Sequence, residues 1–148
     1  MAALSYVRFR SPTPNARGVQ VGVFALANGL ERIGAFTPEE SERWRRANAW
    51  FEAAYPEPTS TEPRVYDRTA NPGAVAWFRR TAVELIEMTT LYAELLDAHR
   101  VPWERVETDD PGRVIYEDAV QVIAVPHSDR AGAAGSHRRG SRIPRFLP

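Results

Sequence analysis

The residues best suited to chemistry lie near the carboxyl end, in the stretch TDDPGRVIYEDAVQVIAVP at positions 108–126. It carries four carboxylates, Asp109, Asp110, Glu117 and Asp118. Paired acids can serve as general acid and base or hold a hard metal ion, but a calcium loop needs alternating acids around a glycine. Acids are equally common in turns. We therefore favour two structural turns, with Glu117 and Asp118 at a hairpin tip; one bent strand that carries them inward is the alternative.

A second candidate site combines arginines with glycines near the amino end. The segment NARGVQVGVF places two glycines before a predicted helix start, and a helix amino terminus attracts anions. Arg8, Arg10 and Arg17 lie close by in sequence. The GxGxxG and GKS patterns of phosphate loops are missing, and the glycines could serve only close packing. This segment is nevertheless the best candidate for a small anionic ligand.

Aromatic residues and arginines form a third candidate, in two segments predicted to be neighbouring helices. The set comprises Trp44, Trp50, Phe51, Tyr55, Trp77 and Phe78 with Arg43, Arg45, Arg46, Arg79 and Arg80. Such mixtures bind single-stranded nucleic acid or protein partners. Phe51 and Phe78 also fall on predicted core stripes. Core packing therefore accounts for most of this set, and we expect Trp50 and Trp77 to be partly exposed.

Composition excludes several kinds of chemistry. The sequence has no cysteine, and all 19 of its basic residues are arginine, so disulfides, thiolate sites and Schiff-base lysines are ruled out. His99 is the only histidine outside the last 22 residues, and the end of a predicted helix suggests a capping or surface role for it. We expect no metal and no cofactor. No apolar run approaches 18 residues, which predicts a soluble cytoplasmic protein that does not enter a membrane.

Periodicity predicts one strand and three helices in the first two thirds of the chain. LSYVRFRS is the strand, and apolar spacing from Val21 to Ile33 predicts the first helix, with Gly34 just beyond its end. Thr37, Pro38 and Glu40 form a capping box that starts the second helix. A proline-rich loop follows. The third helix is predicted over about residues 72–99, opened by Asn71 and Pro72.

Beyond that helix the apolar period changes from 3.6 to 2. VPWERVE, RVIYE and AVQVIAV read as strands, and Asp110-Pro111-Gly112-Arg113 has the residue order of a type II turn. The prediction is an α+β fold with three helices packed on a small, mostly antiparallel sheet, formed by an N-terminal strand and a C-terminal meander. Residues 1–126 form its single domain. Residues 127–148, with five arginines and one aspartate, are predicted to be a basic disordered tail, which leaves the domain with a net charge of −4.

Several segments resemble those of a known group of proteins. They are YVRFRSPTPNARGVQVGVFALANGL, WRRANAWFEAAYPEP, AVAWFRRTA and DPGRVIYEDAVQVIAVP. Together they resemble a family of small, mainly actinobacterial proteins of unknown function, across roughly residues 4–126. The resemblance implies a single self-contained domain and carries no activity with it.

Two functions follow from these candidates. The leading one is a non-catalytic binding or regulatory module that contacts another protein through the arginine and aromatic surface of the second and third helices; it requires Trp50 or Trp77 to be exposed. The alternative is a small enzyme or a protein that binds an anion or nucleotide, using Arg8, Arg10 and Arg17 with the carboxylates at 109, 110, 117 and 118. It requires Glu117 or Asp118 in a pocket facing an arginine. Nucleic-acid binding through the basic tail is a third, less favoured possibility.

Overall fold

The computed structural model describes residues 4–54, 58, 62–127 and 138–139. Their strands form one antiparallel sheet. The strands are β1 (Tyr6–Arg10), β2 (Val75–Arg79), β3 (Glu104–Thr108), β4 (Arg113–Glu117), β5 (Gln121–Val125) and β6 (Arg138–Arg139). Their order across the sheet is β4-β5-β2-β1-β3-β6.

Four helices lie wholly within the described ranges, where they connect and cover the strands. They are α1 (Val23–Arg32), α2 (Pro38–Ala54), α3 (Val83–Met88) and α4 (Thr90–Ala98). The last two are one helical region interrupted at Thr89, whose hydroxyl donates to the carbonyl of Leu85 at 2.8 Å. The predicted α+β fold, with an N-terminal strand and C-terminal strands in one antiparallel sheet, is confirmed.

The helix boundaries follow local signals in the sequence. Thr37 and Glu40 form the predicted capping box, with backbone-to-side-chain bonds of 2.9 Å and 3.1 Å in the two directions. At the end of α1, Gly34 has a φ of +75°, which a glycine adopts without steric cost. Both boundaries therefore lie where the sequence predicts them.

The main core lies between the helices and one face of the sheet. Val7 and Phe9 of β1 and Phe78 of β2 point into it, against buried residues of the helices such as Tyr92 and Leu96. Because side chains alternate along a strand, the residues between them face the other side of the sheet. Trp77, Val106 and Val122 form a smaller buried cluster there.

The prediction of one helix over residues 72–99 is wrong in its first part. Residues 75–79 form β2, which pairs with β1 on one side and β5 on the other. A central strand buried on both faces has a continuous apolar run, which periodicity alone does not distinguish from a helix. Asn71 opens a turn instead of capping a helix: Ala74 N donates to its carbonyl at 3.2 Å, and Gly73 has a φ of +76°.

The C-terminal strands do not lie side by side in sequence order. β4 and β5 pair as a hairpin, but β3 pairs with β1 on the far side of the sheet. Asp118 N donates to the carbonyl of Gln121 at 2.9 Å and closes the hairpin. The predicted hairpin is therefore confirmed over the single bent strand. The predicted tail falls outside the described residues, apart from His127 and β6, which pairs with β3.

Candidate anion-binding site

The sheet opens between β1 and β2. These two strands share only two paired positions, Tyr6 with Arg79 and Val7 with Phe78. Beyond them β1 turns away from β2 and forms a bridge between Arg10 and Gly22. The chain that leads into α1 thus lies against the second half of β1, and the space that a longer ladder would fill is left as a cleft. We call this opening the fork.

The fork contains a cavity of about 440 Å³, within the range usual for small-ligand sites. Its walls are mostly apolar and come from β1, β2 and α1, with aromatic rings from Phe9, Phe24 and Phe78. Only three lining side chains carry polar groups that can orient a ligand, Arg8, Tyr66 and Gln121. An apolar cavity with a few converging polar groups is the usual form of a binding site for a small organic molecule.

Arg8 is the charged group of the cleft. Its side chain lines the cavity although the residue is only 8% exposed, and its Nη1 donates to the carbonyl of Gln20 at 2.8 Å. Among the described residues, no carboxylate lies within ion-pair distance of it. Burial, reinforced by the nearby charge of Arg10 and opposed by Tyr66, lowers the pKa of Arg8 to about 9. The guanidinium is still charged at neutral pH, and no carboxylate in the described ranges neutralises that charge.

The start of α1 faces the same cleft. Gly22 is its N-cap residue and has no side chain to accept a bond from the first-turn amides. Gly22 and Phe24 both line the cavity. The amide end of a ten-residue helix carries a partial positive charge, so it adds to the field of Arg8. The predicted anion-attracting helix start therefore coincides with a buried cation.

Arg10, the second arginine predicted as an anion clamp, does not line this cavity. It points from β1 toward β3, where its Nε lies 3.1 Å from a carboxylate oxygen of Glu104. Glu104 is 2% exposed. Because Arg10 pairs with this buried acid, its charge is already compensated inside the fold.

Arg17 lies at the mouth of the cleft, outside the cavity that holds Arg8. It lines a neighbouring cavity of about 560 Å³ together with Arg68. The two cavities share three lining residues, Val19, Tyr66 and Ala74. Of the three arginines that the sequence grouped together, two therefore line adjacent cavities.

The four carboxylates of the C-terminal stretch do not line either of the two cavities formed by the described residues. Asp109 accepts a bond from the backbone of Ser5 at 2.9 Å, and Asp110 contacts His127 at 2.8 Å. Glu117 is exposed and pairs with Arg79 at 3.0 Å. All four acids belong to turns and strand ends, and these contacts favour the structural role predicted for them.

Asp118 has a purely local set of partners. One oxygen accepts from the backbone of Val120 and Gln121, and the other from Tyr116 Oη and the Gln121 amide, all within 3.2 Å. Burial alone would raise the pKa of Asp118, but these four hydrogen bonds lower it below the ordinary value. The carboxylate holds the hairpin tip and orients the Gln121 side chain at the edge of the cleft.

The predicted arginine and aromatic surface does not form across two helices. Trp77 lies on β2 and is 3% exposed, so the prediction that it is partly exposed is wrong. Trp50 is half-buried and packs edge-on against Phe51, with ring centroids 5.1 Å apart. Arg79 and Arg80 are held by strand neighbours, through Glu117 and Glu107 respectively.

The described part of the chain shows no group of potential metal ligands, and its helix-end histidine contacts a neighbouring helix. His99 ends α4 and its Nε2 lies 2.8 Å from a carboxylate oxygen of Glu40, which ties the end of α4 to the start of α2. No group of three potential metal ligands occurs among residues 4–54, 58, 62–127 and 138–139. None of the helices in these ranges is long and apolar enough to cross a membrane.

Sequence reasoning missed two polar members of the cleft, Tyr66 and Gln121. Tyr66 follows the proline-rich loop, a segment in which the sequence predicts no helix or strand. Gln121 lies in a predicted strand, and nothing in that pattern marks it as a binding residue. One signal was available: Asn71-Pro72-Gly73-Ala74 has the same proline and glycine positions as the turn at residues 110–113. A turn at residues 71–74 predicts a strand directly after it, where β2 lies.

No family model, curated protein or solved structure matches the chain. The resemblance to small actinobacterial proteins therefore stays a prediction, and the geometry of the cleft is the basis for a function.

Proposed function

We propose that this protein binds a small organic anion, with an apolar body and a carboxylate or similar head group, in the fork between β1 and β2. The observation that carries the proposal is Arg8. It is a buried cation in an apolar cleft, without an acidic partner among the described residues. Burying an unpaired charge costs free energy, and such charges in cavities are commonly part of binding or catalytic sites.

The surroundings of Arg8 suit such a ligand. A guanidinium has five N–H donors in a planar fork and binds a carboxylate through two of them. Within the described part of the chain, Nη1 donates to the Gln20 carbonyl and the other guanidinium N–H groups have no protein acceptor, which leaves donors available to a ligand. The start of α1 favours the same charge, and Phe24 and Phe78 provide apolar contacts for the ligand body.

A matched pair of probes tests this proposal. Octanoate and its neutral amide have the same chain and differ in the charge of the head group. We expect calorimetric titration to show octanoate binding at least about tenfold more tightly, because only the anion neutralises Arg8. The variant Arg8→Gln should remove this preference.

The exposed Arg45 provides the control, since Arg45→Gln removes the same charge from α2, away from the cleft. It should leave octanoate binding unchanged. Equal affinities for acid and amide, or an Arg8→Gln variant that still prefers the acid, would refute the proposal.

A further inference from the structure

A second cavity adjoins the cleft at Arg8. Arg17, Arg68 and Asn71 line this outer cavity, and Tyr66 lines both the inner and the outer one. A ligand held at Arg8 that passes Tyr66 would reach the outer cavity. Its contacts there depend on how Arg17 and Arg68 are held.

Two rigid turns present these arginines. Asn15 Oδ1 accepts from the backbone of Arg17 at 2.9 Å and of Val19 at 3.0 Å, which fixes the first turn. Asp67 Oδ1 accepts from the backbone of Thr69 at 2.8 Å and of Ala70 at 3.0 Å, which fixes the second around Arg68. The backbone of both arginines is thus positioned before any ligand binds.

The charges at the mouth are uncompensated. Arg17 and Arg68 are exposed, and neither forms an ion pair within the described ranges, whereas the nearby Asp67 pairs with Arg64. Among the described residues, the linings of the two cavities together contain three arginines and no aspartate or glutamate. Residues 1–126 carry 18 acids against 14 arginines. The charge of the two cavity linings is therefore opposite in sign to the net charge of the domain.

We propose that the ligand is anionic at both ends: a singly charged head at Arg8, an apolar middle, and a more highly charged end, such as a phosphate or phosphonate, between Arg17 and Arg68. The assignment follows from matching charges. One buried guanidinium neutralises one negative charge, and a dianion is costly to bury. Two solvated arginines at the mouth suit the doubly charged group. This inference rests on the proposed function of the Arg8 cleft.

Three probes of equal chain length separate the two ends: octanoate, octanedioate and 8-phosphonooctanoate. We expect affinity to rise in that order. Two exposed arginines should contribute roughly tenfold in total between the first and the last probe, and added salt should reduce this gain.

The double variant Arg17→Gln/Arg68→Gln should bind all three probes with nearly the affinity of wild type for octanoate. A matched control, Arg43→Gln/Arg45→Gln, removes two exposed arginines from α2 and should retain the wild-type order. Circular dichroism on each variant verifies that the fold is kept.

The outcomes separate this inference from the function on which it rests. Suppose that octanoate binds through Arg8. If octanedioate and 8-phosphonooctanoate then bind no more tightly than octanoate, or if the double variant keeps the wild-type order of affinities, the second subsite is refuted and the cleft function stands. If no probe binds, or binding is unaffected by Arg8→Gln, both proposals are refuted.

Discussion

The two edges of β1 differ in how completely they pair with the neighbouring strands; we call the fully paired edge closed. Toward β3, all five residues of β1 are paired, and Arg10 forms an ion pair with the buried Glu104. Toward β2, two positions are paired and the strands then separate around Arg8. Arg8 and Arg10 lie on the same face of the same strand, two residues apart. One is neutralised by the fold and the other is not.

The difference separates a structural role from a binding role. On the β1–β3 side, the carboxylate of Glu104 neutralises Arg10, so loss of this ion pair should lower the free energy of unfolding. The β1–β2 side keeps a buried cation that burial and the nearby charge of Arg10 destabilise, and both lower the pKa of Arg8. We expect substitutions on the closed parts of the sheet to unfold the protein, and substitutions in the fork to spare or stabilise it while removing the ligand.

The largest effect is expected at Gly112, which directly precedes β4 and lies against the end of β5. Its φ is +119°, and a Cβ built there would lie 2.1 Å from the carbonyl oxygen of Val125. Gly112→Ala should therefore lower the free energy of unfolding by about 4 kcal/mol, through backbone strain and a clash with main chain. Urea unfolding measures it. A loss below about 1 kcal/mol would mean that the hairpin opens at little cost.

Arg10→Met should have the next largest effect. It removes the ion pair to a carboxylate that is 2% exposed, and breaking such a pair from one side costs about 3 kcal/mol. Urea unfolding at neutral pH is again the measurement. Stability equal to that of the wild type would contradict the structural role given to the closed side.

Arg8→Met should change stability in the opposite direction. Replacing an uncompensated buried cation by an apolar side chain of similar length should raise the free energy of unfolding by about 2 kcal/mol. The gain should be complete below about pH 9 and shrink above it, because the folded wild type then begins to release the Arg8 proton while the unfolded chain keeps it. A destabilised variant at pH 7 would show that Arg8 supports the fold.

Gly22→Ala should have the smallest effect on stability. Gly22 has an ordinary φ of −77°, and an added Cβ would be 3.5 Å from the Phe9 carbonyl oxygen and 3.8 Å from Arg8 Nη2. We expect a loss below about 1 kcal/mol, mainly from the weaker N-cap. The methyl group occupies space beside Arg8, so octanoate affinity measured by calorimetry should fall. A loss as large as that of Gly112→Ala would remove the contrast between fork and hairpin.

Local signals made much of the fold predictable, while the site depended on distant contacts. The capping box at Thr37 and the positive φ of Gly112 are each encoded within four residues. The role of Arg10 is decided by Glu104, 94 positions away. Arg8 and Arg10 therefore look alike in the sequence, and only the topology of β1, β2 and β3 tells them apart.

The β2 strand shows a second limit. Val75, Trp77 and Phe78 are apolar on both faces because the strand is central, so the period of two that marks an exposed strand is absent. Without β2 the fork could not be anticipated. The same misreading placed Trp77 on a helix surface and supported an interaction face that the fold does not form.

The most direct test of the central claim is the difference in unfolding free energy between wild type and Arg8→Met as octanoate is added. Without octanoate the variant should be the more stable. A ligand that binds only the folded wild type then stabilises it by mass action, and a 2 kcal/mol deficit is recovered at about 30 times Kd. We predict that the two stability curves cross. If wild type is the more stable at every concentration, or octanoate stabilises both proteins equally, Arg8 is not an uncompensated cation that awaits an anionic ligand.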